Sequence, residues 1–320
     1  MSALHPTGPT THAYDELVED AVRAPSPRNT QPWRFRELSD AVELHADLSR
    51  ELPVNDPAHR ELLISCGTAL ANLCASAEHH HLAPRVELFP DEDDGSHVAT
   101  VHLSPTPAYT DARLSYGIRL RTTWRDAFAD RAVPERVVTE MLDAAHEPGV
   151  WAVVVDDDDL PEVLGLITSG DHFQYADDGW RHELARWLHP RTTGDGLVVP
   201  RVAGALSRFL VSHLDLGERT ARDDVAMTES APVVVVLGTE TDDEQAWVHA
   251  GMALERLLLT GAVQGVQAMF SNQPCQVPVL RPLLASVLGH PHPQVLLRLG
   301  YPTEAPAPTP RRSVEDVLDA

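Results

Sequence analysis

The chain has 320 residues, of which 48 are acidic and 25 basic, giving a formal net charge of −23 at pH 7. A field of that sign repels phosphate overall and argues against binding nucleic acid or an anionic membrane, both of which need a positive face. With 43% apolar residues the composition is that of a globular chain, and the length suggests about two units of roughly 150 residues each. Apolar runs such as Val150–Val155 are far too short to span a bilayer, which takes about 20 residues, and Met1–His12 has neither Arg nor an apolar stretch. No secretory signal or membrane span is expected, and a cytoplasmic location follows. All the basic residues are arginine. The three cysteines, Cys66, Cys74 and Cys275, lack a C-x-x-C spacing and read as buried thiols in a reducing compartment, with no metal site.

In chain order, residues 1–12 read as a mobile arm and Tyr14–Arg23 as a helix. A proline-broken loop, Ala24–Phe35, and a short β-rich run at Val42–Leu44 follow. Residues 57–81 carry a long helical pattern, apolar on nearly every face from Leu62 to Cys74, which marks a helix buried in a core. β-rich runs recur at Val98–Leu103, Trp151–Val155, Val233–Leu237 and Val295–Leu299, and a second long helical pattern covers 243–264. Between Trp151–Val155 and Val233–Leu237, at about 165–230, histidine and aromatic residues accumulate without a strand pattern, which suggests an inserted helical cap; a peripheral helical pair is the competing reading. Pro302–Pro310 reads as an extended arm leading to a short helix from Ser313.

The two long helices share Gly-x-Ala-Leu-x-x-Leu, at Gly67–Leu73 and again at Gly251–Leu257, an offset of 184 residues. Glycine inside a helix costs about 1 kcal/mol relative to alanine, so close helix–helix approach is the expected compensation. The fold class is α+β, with two pseudo-repeated halves joined through these helices; chance similarity between Ala/Leu-rich helices is the alternative.

The most specific stretch is Pro25-Ser26-Pro27-Arg28-Asn29-Thr30-Gln31-Pro32-Trp33. Its prolines fix an extended loop on which Ser26, Asn29 and Gln31 offer compact donors and acceptors, although Ser, Asn and Pro also make ordinary turns. The pattern Pro-Ser-x-x-Asn-x-Gln-Pro-Trp resembles the flavin-contacting loop of the FMN-dependent nitroreductase family, and Arg121-Thr122-Thr123-Trp124-Arg125 resembles that family's Arg-x-Ser-x-Arg element. By this resemblance Pro25, Ser26, Asn29, Gln31 and Thr122 contact the cofactor, Arg121 and Thr123 hold its phosphate, and Arg125 lies near the pyrimidine edge of the flavin. Phe270-Ser271-Asn272-Gln273-Pro274 falls where the family faces flavin N5, through Gln273 and Pro274, but lacks the usual Gly-Phe. Leu288-Gly289 and Gly300-Tyr301-Pro302 resemble the closing element, and Arg311 and Arg312 the late phosphate arginines. Bidentate guanidinium is the strongest side-chain partner for a phosphate in so acidic a chain.

Residues 13–108 carry the loop without the Arg element and 109–301 the Arg element without the loop, so the two halves supply one complete FMN site; 302–320 form the arm and terminal segment. This resembles the Acg-type subgroup, a fused, internally duplicated nitroreductase that works as a monomer mimicking the family dimer, or as a homodimer. The resemblance implies a small-molecule redox substrate and hydride transfer from NAD(P)H through FMN to a nitro, quinone or related acceptor, with catalysis carried by the flavin rather than by a side chain. It also implies a lid whose apolar undersurface would be Phe173, Trp180 and Trp187. The alternative is an FMN-sequestering or storage protein with an occluded flavin. No Gly-x-Gly-x-x-Gly, Walker or Gly-x-Ser-x-Gly motif points elsewhere.

Overall fold

The computed structural model describes residues 11–91, 93–107, 112–199 and 204–319. Apart from Thr11 and His12, the arm expected at 1–12 lies outside these. The chain opens with α1 (Thr11–Ala21), β1 (Trp33–Glu37), β2 (Ala41–Ala46), α2 (Arg60–His79), β3 (Leu82–Leu88) and β4 (His97–Pro105). It continues through α3 (Arg113–Leu120), α4 (Glu135–Ala144) and β5 (Val150–Val154). Next come α5 (Leu160–Ala176), α6 (Asp178–Arg186), a two-stranded ribbon β6 (Leu188–His189) and β7 (Leu197–Val198), α7 (Gly204–His213) and α8 (Gly217–Glu229). The last part holds β8 (Val233–Thr239), α9 (Glu244–Val263), β9 (Gln267–Phe270), α10 (Gln273–Gln276), α11 (Arg281–Leu288), β10 (Pro293–Gly300), α12 (Val314–Val317) and β11 (Leu318–Asp319).

Two sheets result. The first has the order β11-β1-β2-β4-β3, antiparallel except for the β1–β11 edge; the second is antiparallel in the order β5-β8-β10-β9. Setting β11 aside, the first, second, fourth and third strands of each unit lie side by side in the same order and sense, with α2 or α9 between its second and third strands. The difference sits in the first connection. Leu38–Asp40 turn directly from β1 to β2, whereas α5 to α8 are inserted between β5 and β8, from Val155 to Pro232. The insertion expected at about 165–230 thus begins earlier, with the apolar first turns of α5.

Burial explains the strand patterns. In β1, Trp33 and Phe35 are buried while Arg34 and Arg36 are exposed, the period-two signature of a sheet packed on one face. In β10 every residue is buried, because α4 and α9 cover one face of the second sheet and α5 and α11 the other. The three cysteines are free and buried, as expected, and burial pushes Cys74 and Cys275 up to about 12. Among the described residues no helix is long and apolar enough to cross a membrane.

The α2–α9 crossing joins the units. A Cβ on Gly67 would stand 2.2 Å from the Val248 carbonyl oxygen, and one on Gly251 2.0 Å from that of Ile64, so only hydrogen fits at either position. Gly67→Ala or Gly251→Ala is therefore expected to lose stability by about 2 kcal/mol or more, overpacking outweighing the helix propensity gained. Gly95→Ala, whose Cβ meets nothing within 4 Å, should stay within about 0.5 kcal/mol of wild type. Chemical denaturation of the three variants checks both.

Candidate functional site

A cavity of about 370 Å³ lies against this crossing. Its walls come from α2 (Glu61, Ile64, Ser65, Thr68), Leu254 of α9, the Pro25–Asn29 loop, Thr123 and Arg125, the segment from Met269 to Gln276, the helices inserted between β5 and β8, and the C-terminal arm at Thr309 and Arg311.

The loop is held in an unusual conformation. Arg28, Asn29 and Gln31 have φ of 52°, 56° and 51°, a left-handed region costly for residues with a Cβ and typical of functional sites. The surroundings enforce it. Gln31 N–H donates to Ser26 Oγ (2.9 Å), Thr68 Oγ1 donates to the Pro25 carbonyl (3.0 Å), and Asn29 Nδ2 donates to the carbonyls of Gly196 (3.3 Å) and Pro310 (3.2 Å). Gln31 has no exposed surface. Its Nε2 donates to the Gly194 carbonyl at 2.9 Å, and its Oε1 accepts from Arg312 N–H at 2.9 Å. Arg28 forms a buried ion pair with Glu183 of α6 (2.7 Å) and stacks over Trp180. Burial lowers its basicity, with Glu183 opposing.

Arginines gather at a second wall. The segment 121–125 runs beside β9, with Trp124 N–H donating to the Ala268 carbonyl at 2.9 Å. Arg121 is buried; its Nη2 donates to the Arg23 carbonyl, and its Nε lies 3.3 Å from Glu255 Oε1. That pair is close but poorly aligned, so Arg121 Nε and both Glu255 oxygens lack a hydrogen-bond partner. Burial pushes Glu255 up to about 7 against the pull of Arg121 and Arg311. Arg311 spends its terminal nitrogens on the carbonyls of Arg23, Ala24, Thr309 and Pro310, and its buried Nε has no partner. Burial, then Arg121, lowers Arg311 to about 9. Arg125 has no ion-pair or hydrogen-bond partner among the described residues. It is solvent-accessible, yet burial and then Arg121 lower its basicity, as fits a guanidinium standing inside a cavity. One buried carboxylate thus faces two desolvated cations, Arg121 and Arg311, an arrangement that an anion would complete.

The remaining polar wall is acidic. Glu61 accepts from Asn55 Nδ2 (3.0 Å), Asn272 Nδ2 (2.5 Å) and Gln276 Nε2 (3.0 Å); even so, burial raises its carboxyl. Gln273 Nε2 donates to Asp171 and Asp224 together.

Of the residues singled out from sequence, Pro25, Ser26, Asn29, Thr123, Arg125, Gln273 and Arg311 line this one cavity. Arg121 and Thr122 lie behind it, around a much smaller void. Pro274 is buried at the start of α10 and Gln31 within the loop, and Arg312 bonds Gln31 and faces Asp47 at 3.6 Å. The expected aromatic undersurface is corrected. Trp180 lines the cavity and donates to Asn55 Oδ1 at 2.8 Å; Trp187 stacks with Arg50 outside it, and Phe173 is 54% exposed. Sequence reading missed Glu61, Asp171, Asp224 and Glu255. For Glu61 and Glu255 the signal was a carboxylate inside a helix apolar on nearly every face. It also missed Glu43, His45 and His97, whose ligand-capable atoms lie within 4.8 Å of one another, although Arg36 already pairs with Glu43 at 2.5 Å.

No family model matches the chain. It is 30% identical to "Putative NAD(P)H nitroreductase Rv3131" of Mycobacterium tuberculosis, over 99% of this chain and 94% of that one. It is 29% identical to "Putative NAD(P)H nitroreductase acg" of the same organism, over 97% and 96%. Among solved structures, the FMN-dependent nitroreductase NfnB from Mycobacterium smegmatis, in complex with NADPH, aligns at 15% identity with a TM-score of 0.41, covering 65% of this chain and 97% of that one.

Gln31 ties the loop, the Gly194 turn and the C-terminal arm together. Gln31→Ala should cost about 1–3 kcal/mol by stranding buried partners, and limited proteolysis should cut the arm at 302–312 faster than in wild type.

Proposed function

The chain belongs to the NAD(P)H nitroreductase family, and on that premise we propose that it is an FMN-dependent oxidoreductase passing electrons from NAD(P)H to a small nitro, quinone or related acceptor. The observation that carries this is the desolvated arginine cluster on a cavity that also takes in the Pro-Ser-x-x-Asn loop. The residues fit the cofactor: Arg311 keeps a buried, unpartnered Nε, and Arg125 stands unpaired among the described residues. In this reading Arg125 and Arg311, which line the cavity, hold the phosphate, and Arg121, which lies behind it, supports them through its ion pair with Glu255; this departs from the resemblance, which gives Arg121 the phosphate and Arg125 the pyrimidine edge. The strained loop from Pro25 to Asn29 and the Gln273 side chain border the rest of the group. FMN, when bound, supplies two-electron redox chemistry; the protein binds, orients and shields it.

We read the chain as two fused halves that share one cofactor site. The matching strand order of the two sheets and the paired glycines support this, as does the cavity, which takes its loop from the first half, Arg125 from the second and Arg311 from the arm that follows. One chain then suffices as the functional unit. The second reading, cofactor storage, draws on the α5–α8 segment, whose Tyr175, Trp180 and Thr220 wall the cavity.

Flavin released by acid should approach one equivalent per chain; none, or close to two, overturns the reading. Arg125→Ala and Arg311→Ala should each raise the dissociation constant for FMN about tenfold or more, while exposed Arg136→Ala should leave it unchanged. Rapid-mixing reduction of the bound flavin by NADPH or NADH, followed by turnover with a quinone, separates oxidoreductase from store.

A further inference from the structure

Asp171 on α5 and Asp224 on α8 both accept from one amide nitrogen, Gln273 Nε2 at the start of α10, at 3.1 and 2.6 Å. All three residues line the cavity. Asp171 is 1% exposed, its Oδ2 is buried with no partner, and the Gln273 Oε1 beside it is also without one. Gly170 brings these groups together: a Cβ there would stand 2.5 Å from Gln273 Cβ, so α10 can seat against α5 only because position 170 lacks a side chain. Contrast Glu61, whose carboxylate takes three amide donors. The Asp pair has one amide between two carboxylates, and a second buried carboxylate so placed is harder to ionise than the first.

The neighbours decide which carboxyl keeps the proton. Burial raises the Asp224 carboxyl too, but the buried Arg298 of β10 pulls it back towards the charged form, with Asp223 on its own helix opposing. No arginine acts on Asp171 in the same way. Tyr175 lies one turn along α5, and Arg181 of α6 is spent on the Tyr175 carbonyl and on Asp178.

We propose that Asp171 carries the single proton of this pair at neutral pH and delivers it to the acceptor reduced in the cavity. The proposal rests on the oxidoreductase reading above. Burial, then the Asp224 charge, push the Asp171 carboxyl up to about 7, close to the working pH where general acids are most effective. For a quinone-type acceptor the step balances as follows. FMN, when bound, would supply two electrons and one hydrogen as hydride; to complete the reduction the Asp171 O–H breaks, an acceptor O–H forms, the acceptor leaves as hydroquinone, and solvent reprotonates the Asp171 carboxylate. A nitro-type acceptor takes hydride and proton in the same way and leaves as nitroso compound and water.

The full chain as purified, before any electron donor is added, allows a first test free of turnover. Infrared difference spectra between about pH 5 and about pH 9 should show a protonated-carboxyl C=O band that is lost with a midpoint near 7. Glu255, also pushed up to about 7, contributes to this band, so Asp171→Asn should remove one carboxyl's share of its intensity, and that share should move to lower pH in Asp224→Asn, where the like charge is gone. In a second test the enzyme is pre-reduced and mixed with a quinone. The wild-type oxidation rate should be flat below about pH 7 and fall above it, while Asp171→Asn should be pH-independent and about 100-fold slower, with its flavin content unchanged. A titrating band that keeps its full intensity in Asp171→Asn, or equal rates and pH profiles in wild type and variant, overturns the proposal. A colourless protein without flavin would instead overturn the oxidoreductase reading, leaving the infrared result to judge the carboxyl pair.

Discussion

The cavity depends on how closely α2 and α9 approach. Gly67 and Gly251 each meet a carbonyl of the other helix at a distance no Cβ could share, so the two backbones touch where most helix pairs are held apart by side chains. Each helix is packed against its own sheet. The crossing therefore sets the spacing of the two sheets and, with it, the distance between the Pro25–Asn29 loop and the Arg121–Arg125 segment. Residues within two turns of the glycines, Glu61, Ile64, Ser65, Thr68 and Leu254, become cavity wall. A contact whose direct role is packing thereby fixes the geometry of a polar site.

That site holds desolvated charges of both signs inside a chain of net charge −23. Burying ionised groups costs several kcal/mol each unless partners are well placed, and here several are not: the Arg121–Glu255 pair is misaligned, and Arg311 keeps a buried Nε without a partner. Such a cluster is poor design for stability. It makes sense as a site prepared for an anion, where the ligand supplies the missing hydrogen-bond acceptors and the protein has already borne the cost of collecting the donors. Glu255 keeps the cations from repelling one another apart while the anion is absent. The left-handed residues of the loop belong to the same arrangement, strain held in place by Thr68, Gly196 and Pro310.

Local pattern made much of this fold legible. Apolar periodicity placed α2 and α9 within a few residues, and the Gly-x-Ala-Leu-x-x-Leu pair pointed to their contact, because a glycine in a buried helix needs a packing reason. The runs at 233–237 and 295–299 became central strands of a sheet covered on both faces. Strands β1, β3 and β9 escaped. β3 carries Pro84 and lies at an edge, where a missing N–H is tolerated, and β1 reads as a continuation of the proline loop. In the site, motif spacing found the residues of the loop and the arm, but it could not separate Asn29, on the cavity wall, from Gln31, two positions on and wholly enclosed. Spacing also could not bring Asp171 and Asp224 together, since the pairing of α5 with α8 is a tertiary event with no trace in either helix alone. Trp187 and Phe173 misled for the converse reason: aromatic residues clustered in sequence point in different directions once the helices pack.

On the proposed reading of two fused halves, the lopsidedness of the site has an explanation. A homodimer must repeat each residue on both sides of its axis, so a carboxylate useful in one pocket is imposed on the other. A single chain keeps the symmetric requirement only where packing demands it, and here that is Gly67 and Gly251. At the same offset, Glu61 faces Gln245 in the other half, Glu255 faces Ala71, and Thr68, which anchors the loop through the Pro25 carbonyl, faces Met252. Each exchange removes a charge or a hydroxyl that serves the cavity from the position that has no such loop to serve. The inserted helices follow the same logic. They occupy the connection after β5, where the first half makes do with the short turn after β1, and so deliver Asp171, Trp180 and Asp224 to one cavity. An insertion of that size in a symmetric dimer would have walled two pockets; in one chain it can shape a single pocket while the rest of the fold keeps its repeat.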